Sequence, residues 1–219
     1  MFAMFNNRKI HDISVLLGEE SIDHPNVKPF KRELKWNLSE SGGCDYSYLE
    51  MTAHAGTHID MPSHFFQAGK SIDQLPVDSF IFPAQVVLIE NSKLITKEEL
   101  SHFDIKKNEA LLFKTKNSIS GICKNGEYRD DYVYLSEDAA GYCAKKGVAL
   151  VGIDYISIEE SSDNSFPAHK KILGNNTLVL EGINLEKVQA GSYTLMCLPL
   201  KIKNGEASPV RAILIESIL

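Results

Sequence analysis

The sequence predicts a single α/β domain in which a mixed sheet dominates and a few helices flank it. Three observations carry that prediction. Apolar runs of strand length recur along the whole chain, helix-start signals appear at only a few places, and no repeat, low-complexity tract or linker divides the 219 residues. A chain of this length can fill one large core, so residues 1–219 are expected to form one domain.

In chain order, the predicted strands are "KIHDISVLL" at 9–17, "YSYLEMTA" at 46–53, "AQVVLIE" at 84–90 and "EALLFKT" at 109–115. They continue with "VALVGID" at 148–154, "NTLVLEG" at 176–182, "YTLMCLPLKI" at 193–202 and "VRAILIE" at 210–216. Each is rich in β-branched or aromatic residues and bounded by turn formers. Thr96 with Glu99 three residues on is a capping box that opens a short helix through about His102. Ser136 caps a helix over 137–146 that stops at Gly147, and a third helix begins near Ala168 in "AHKKILGNN".

Composition narrows the function classes. With 43% apolar and 24% charged residues and a net charge of -6, the chain has the make-up of an ordinary globular protein and lacks the basic clusters that nucleic-acid binding requires. Its longest basic stretch, Lys28 to Lys35, is interrupted by Glu33 and reads as a solvated segment. The opening "MFAMFNNRKI" carries too short an apolar run for a signal peptide or a membrane span, so no membrane partner and a cytoplasmic location are expected. Cys44, Cys123, Cys143 and Cys197 form no C-x-x-C pair and read as free thiols.

Chemistry concentrates in "MTAHAGTHIDMPSHF", residues 51–65, where His54, His58, Asp60 and His64 stand close together. A helix would put 54 and 58 on one face and leave 60 off it, and an extended chain would spread the four over as much as about 35 Å. A curled loop, bent at Gly56 and turned at Pro62, can gather them. Imidazole and carboxylate together suit a divalent transition metal such as zinc, manganese or iron, whereas a polar surface turn is the plain alternative. His11, His24 and His102 lack such company and read as ordinary polar residues. His169 in "FPAHKKIL" and Glu181 at the end of "TLVLEG" are further candidates, although a carboxylate closing an apolar run can equally be a solvated strand end.

The pattern as a whole resembles the cyclase family of metal-dependent hydrolases, which includes bacterial kynurenine formamidases and isatin hydrolases. The resemblance rests on "HAGTHIDMPSHF" together with "DIS" at 12–14, "GID" at 152–154, "LEGINL" at 180–185, "LPLKI" at 198–202 and "SPVRA" at 208–212. It implies a swivelling β/β/α fold, a homodimer or homotetramer, and a small-molecule substrate. It also implies that His54, His58, Asp60, His169 and Glu181 hold one or two divalent ions, zinc or manganese, and that His64 transfers the proton. The implied reaction is hydrolysis of an amide, as in N-formylkynurenine or a related N-formyl arylamine, by water that the metal activates. Ring opening of a cyclic amide, imide or lactone, or metal binding without catalysis, are the alternatives. The stretches "DHPNVKPF" at 23–30 and "DYISIEES" at 154–161 depart from the formamidase pattern, in loops that are expected to shape the pocket. Phe65, Phe66, Asp154 and Tyr155 are candidates to line it or simply to pack, and Arg211 either binds a substrate carboxylate or pairs within a strand.

Overall fold

The apolar runs form a sheet that closes on itself. The computed structural model describes residues 8–91 and 93–216; the first seven residues of the chain, part of the stretch that bears on targeting, lie outside them. The first half contains strands β1 (Ile10–Asp12), β2 (Lys31–Trp36), β3 (Tyr46–Glu50), β4 (His58–Asp60), β5 (Ile81–Leu88), β6 (Leu94–Ile95) and β7 (Ala110–Lys114). Strands β8 (Tyr134–Leu135), β9 (Leu150–Ile153), β10 (Leu178–Glu181), β11 (Gly191–Pro199) and β12 (Ala207–Glu216) follow. The helices are α1 (Leu38–Ser41), α2 (Lys97–Leu100), α3 (Lys116–Ile119), α4 (Glu137–Lys146) and α5 (Pro167–Leu173). No helix among the described residues is long and apolar enough to cross a membrane.

The main sheet runs β1-β12-β11-β5-β7-β9-β10-β4, and an additional β12–β4 pairing closes all but β1 into a barrel-like ring. Strands β5, β7, β9 and β10 are parallel neighbours, whereas β4, β11 and β12 pair antiparallel, so the sheet is mixed as expected. Parallel neighbours need crossovers, and α4 and α5 supply two of them. Side chains alternate between two cores. Ile59, Leu112, Leu180, Leu195 and Ala212 fill the inside of the ring, while Val151, Ile153 and Val179 pack outside it against Ala140 and Cys143 of α4 and Ile172 of α5.

Several local expectations need revision. The strand expected over 9–17 stops at Asp12 apart from a Ser14–Ile183 bridge, because the Leu16 carbonyl accepts from the N–H groups of Glu19, Glu20 and Ser21 and Gly18 adopts φ 84°. Lys28 to Lys35, expected to be merely solvated, is solvated but also supplies β2, which pairs with β3 in an exposed hairpin. The Thr96 hydroxyl caps α2 by accepting from Glu99 N–H at 3.2 Å, yet the Glu99 carboxylate does not complete the box; it accepts from Glu90 and Asn91 N–H instead. Ser136 and Gly147 bound α4 where the sequence placed them.

The end of β10 is fastened to the entry of β4. Thr57 Oγ1 donates to the Gly182 carbonyl at 2.6 Å and accepts from Val15 N–H at 2.9 Å, all of it buried. Gly182, at φ 67°, lies so close to the Gly56 carbonyl that a Cβ there would stand 2.3 Å from that oxygen. Replacing Thr57 by valine keeps the shape and leaves a buried N–H and C=O unpaired. The expected loss is about 2 to 4 kcal/mol of unfolding free energy in urea titrations.

Candidate metal centre

The curl expected of residues 54–65 exists, but its middle is a short buried strand. Gly56, at φ 60°, bends the chain into β4, and Pro62 then opens a single 3-10 turn over Pro62–His64. Strand alternation sends Ile59 inward, and the register Glu181↔His58 and Val179↔Asp60 sets His58, Asp60 and Glu181 together on the outer face. Helix α5 brings His169 onto that face, and Pro167 at its first position favours the helix start.

Five side chains meet there. His54 Nδ1 lies 2.9 Å and His58 Nε2 3.6 Å from Asp60 Oδ1, while His169 Nε2 lies 3.6 Å from Asp60 Oδ2. Glu181 reaches His58 Nε2 with Oε2 and His169 Nε2 with Oε1, both at 3.2 Å. Ligand atoms of His54, His58 and Asp60 lie within 4.8 Å of one another, as do those of Asp60, His169 and Glu181, so Asp60 belongs to both groups. His58 Nδ1 faces the Gly56 carbonyl at 2.9 Å and must donate to it, so Nε2 is the nitrogen that offers a lone pair to the cluster when the imidazole is neutral.

These contacts do not satisfy the atoms involved. Asp60 is 1% exposed, yet neither of its carboxylate oxygens nor His58 Nε2 has a hydrogen-bond partner in good alignment. Buried polar atoms converging without aligned partners are costly, and a divalent cation that displaces the imidazole protons satisfies all of them at once. The donor set of imidazoles and carboxylates also fits such an ion.

The same crowding shifts the titrations. Burial alone would raise the Asp60 carboxyl, but the imidazoles of His169 and His54 outweigh it and hold it well below the usual carboxylate range. Burial works against protonation of His58, yet the Glu181 carboxylate, with Asp60 adding to it, pushes its pKa up to about 8. His169 likewise resists charging by its burial and is nevertheless raised well above the usual value, chiefly by Glu181. His64, half-buried, is lowered mainly by desolvation.

The other expected residues divide. The His64 ring lies 4.4 Å from that of His54 and 6.3 Å from that of His169, at the edge of the cluster. The Phe65 ring is 4.5 Å from His64 and 5.2 Å from His169, so it borders the site. Phe66 instead lies against Gly174 at the end of α5. Asp154 and Tyr155, candidates either to line a pocket or to pack, are buried and pack. Asp154 is fully buried and accepts from Thr115 N–H and Oγ1 and from Ser118 N–H, tying down the start of α3. Tyr155 stacks on Tyr132 at 4.2 Å and bonds the Arg129 backbone. Arg211 pairs with Asp12 across β12 and β1, which is the within-sheet alternative.

Two residues beside the site were missed. Glu159 accepts from His169 Nδ1 at 3.0 Å, and the Phe166 ring stands 5.3 Å from Phe65. Neither has a sequence signal of its own; Glu159 reads as one acid in a polar loop.

Comparison with known proteins agrees with this fold. The Cyclase family model matches residues 11–160, and the chain belongs to that family. Kynurenine formamidase of Bacillus cereus (strain ZK / E33L) is 34% identical over 203 residues, covering 93% of this chain and 95% of the relative. The kynurenine formamidase of Geobacillus thermodenitrificans is 35% identical over the same length and coverage. A solved structure from Bacillus stearothermophilus, described as a predicted metal-dependent hydrolase, superposes with a TM-score of 0.83 at 30% identity, covering 96% of this chain and 99% of the other. Isatin hydrolase A from Ralstonia solanacearum shares the fold, with a TM-score of 0.81 at 22% identity over 96% of this chain and 93% of its own.

An ion at this site must displace protons, because it needs the lone pairs that protonation blocks. With the His58 pKa near 8, the metal-free imidazole is protonated at neutral pH. Affinity should therefore rise with pH through about pH 8, where His58 gives up its proton. Calorimetric titration at about pH 7 in buffers of different ionisation enthalpy should record release of about one proton or more per site filled.

Proposed function

We propose that this protein is a metal-dependent hydrolase of a carbon–nitrogen bond other than a peptide bond, acting on an N-formyl arylamine such as N-formylkynurenine. The observation that carries the reading is the buried convergence of His54, His58, Asp60, His169 and Glu181, in which His58 Nε2 and both Asp60 carboxylate oxygens lack aligned hydrogen-bond partners. Likeness over 93% of the chain to relatives named kynurenine formamidase supports the substrate class.

In this reading His54, His58 and Asp60 would hold one divalent ion, and Asp60, His169 and Glu181 would hold a second, with zinc as the metal and manganese as the alternative. Such ions supply a water that ionises near pH 7 and an electrophile for the carbonyl oxygen. The chain's own groups do the rest. Burial keeps His64 neutral at neutral pH, so its ring can take a proton during attack and give it to the leaving nitrogen. Phe65 and Phe166 offer apolar faces beside the cluster for an aryl group.

A homodimer or homotetramer working in the cytoplasm completes the proposal. Exposed Trp36, Tyr46 and Tyr48 on the β2–β3 hairpin support association, and the four free cysteines are compatible with a reducing compartment.

A panel of N-formylkynurenine, formanilide, isatin and cyclic imides tests the substrate class. Turnover of the first two, lost on chelation and regained with zinc or manganese, is expected; ring opening of isatin or an imide alone contradicts the formamide assignment. Replacing His64 by asparagine should leave metal content unchanged and lower kcat by about two to four orders of magnitude. Wild-type kcat in that variant contradicts the proton-transfer role.

A further inference from the structure

Two of the groups around Asp60 come from different elements, yet one short stretch of the loop after β9 ties both of them down. Ile158 N–H donates to Glu181 Oε1 at 2.7 Å. The next residue, Glu159, uses its Oε1 to accept from the His169 backbone N–H at 2.7 Å and from His169 Nδ1 at 3.0 Å. The stretch is itself held firmly. The Ile158 carbonyl accepts from Leu135 N–H at 2.8 Å, and the Glu159 carbonyl accepts from the Tyr132 hydroxyl at 2.7 Å.

Glu159 is almost fully buried, at 4% exposed. Against a carboxylate oxygen, which only accepts, His169 Nδ1 is the donor in this contact. That keeps a proton on Nδ1 and aims Nε2 at the cluster, 3.2 Å from Glu181 Oε1 and 3.6 Å from Asp60 Oδ2, where it offers its lone pair to an ion once its own proton is displaced. The other tautomer would set an acceptor nitrogen against the Glu159 carboxylate, and a flipped ring would set a carbon there, so this contact selects one tautomer and one ring orientation. The His58 ring is fixed by other means, through the Gly56 carbonyl, and makes no use of Glu159. The two halves of the site are thus oriented by independent devices.

We propose that Glu159 is the positioning residue of His169: it sets the tautomer and direction of that imidazole, and the Asp60–His169–Glu181 half of the centre depends on it while the His54–His58–Asp60 half does not. The inference rests on the metal-centre reading above and adds a hierarchy within it. Orienting carboxylates behind a ligating imidazole affect metal affinity by about 10- to 100-fold.

The test uses metal-free full-length protein, titrated with cobalt(II), followed by its visible absorption and by competition with a chelator. Wild type is expected to take up two ions. Glu159→Ala should keep one ion at wild-type affinity and weaken the other by about 10- to 100-fold. Glu159→Gln, whose amide oxygen can still accept from both His169 N–H groups, should hold the second ion more tightly than Glu159→Ala. If the alanine variant does not fold, Glu159→Asp, one methylene short of Nδ1, should show the same selective weakening. Wild-type affinity for both ions in a folded alanine or aspartate variant, or equal weakening of both ions, contradicts the positioning role. Wild-type protein that takes up no cobalt contradicts the metal centre itself, which is a separate failure.

Discussion

The site depends on the three-residue strand β4, because both of its edges are engaged. Residues 58–60 pair with β10 on one side and with residues 207–209 of β12 on the other, and this double pairing closes the ring. A strand so short could slip on its own, and a slip of one residue would exchange its faces. Ile59, which enters the inner core, prevents that, and the Thr57 and Gly182 contacts lock the approach. Closing the barrel and orienting His58 and Asp60 are therefore one structural act. The same pairing brings Glu181, from a distant part of the chain, beside His58.

Burial turns this arrangement into chemistry. Asp60 and Glu181 are almost wholly removed from water, where their charges need strong compensation. In the metal-free protein the imidazoles supply part of it by drawing protons, as the raised values of His58 and His169 indicate. That compensation is incomplete, since lone pairs of Asp60 stay without directed partners. The same apolar surroundings that make the cluster costly as bare protein favour a cation within it. They also keep His64, which lies outside the two ligand groups, inclined to the neutral form.

Much of this was legible in the sequence, for identifiable reasons. The core strands declare themselves because β-branched runs between turn formers follow a local rule, and β7, β9, β10 and β12 fall within or around the expected stretches. His54, His58 and Asp60 stand out because their grouping is contiguous. His169 and Glu181 were reached through the family pattern, since their closeness to Asp60 comes from strand register and helix placement that no local spacing records. Strand β4 was hidden by its length and by its polar residues, which face outward into the site. Asp154 and Tyr155, left open between pocket lining and packing, pack: a place in the loop "DYISIEES" says nothing about direction, and past β9 their side chains enter buried networks around Thr115 and Tyr132. Glu159 was invisible because its role is defined only by where His169 lies.

Crystallography of the protein grown with zinc, with diffraction recorded on both sides of the zinc absorption edge, tests the central claim most directly. The account predicts two anomalous peaks sharing Asp60, one beside His54 and His58 and the other beside His169 and Glu181. Anomalous density elsewhere on the molecule, with none at Asp60, would contradict it.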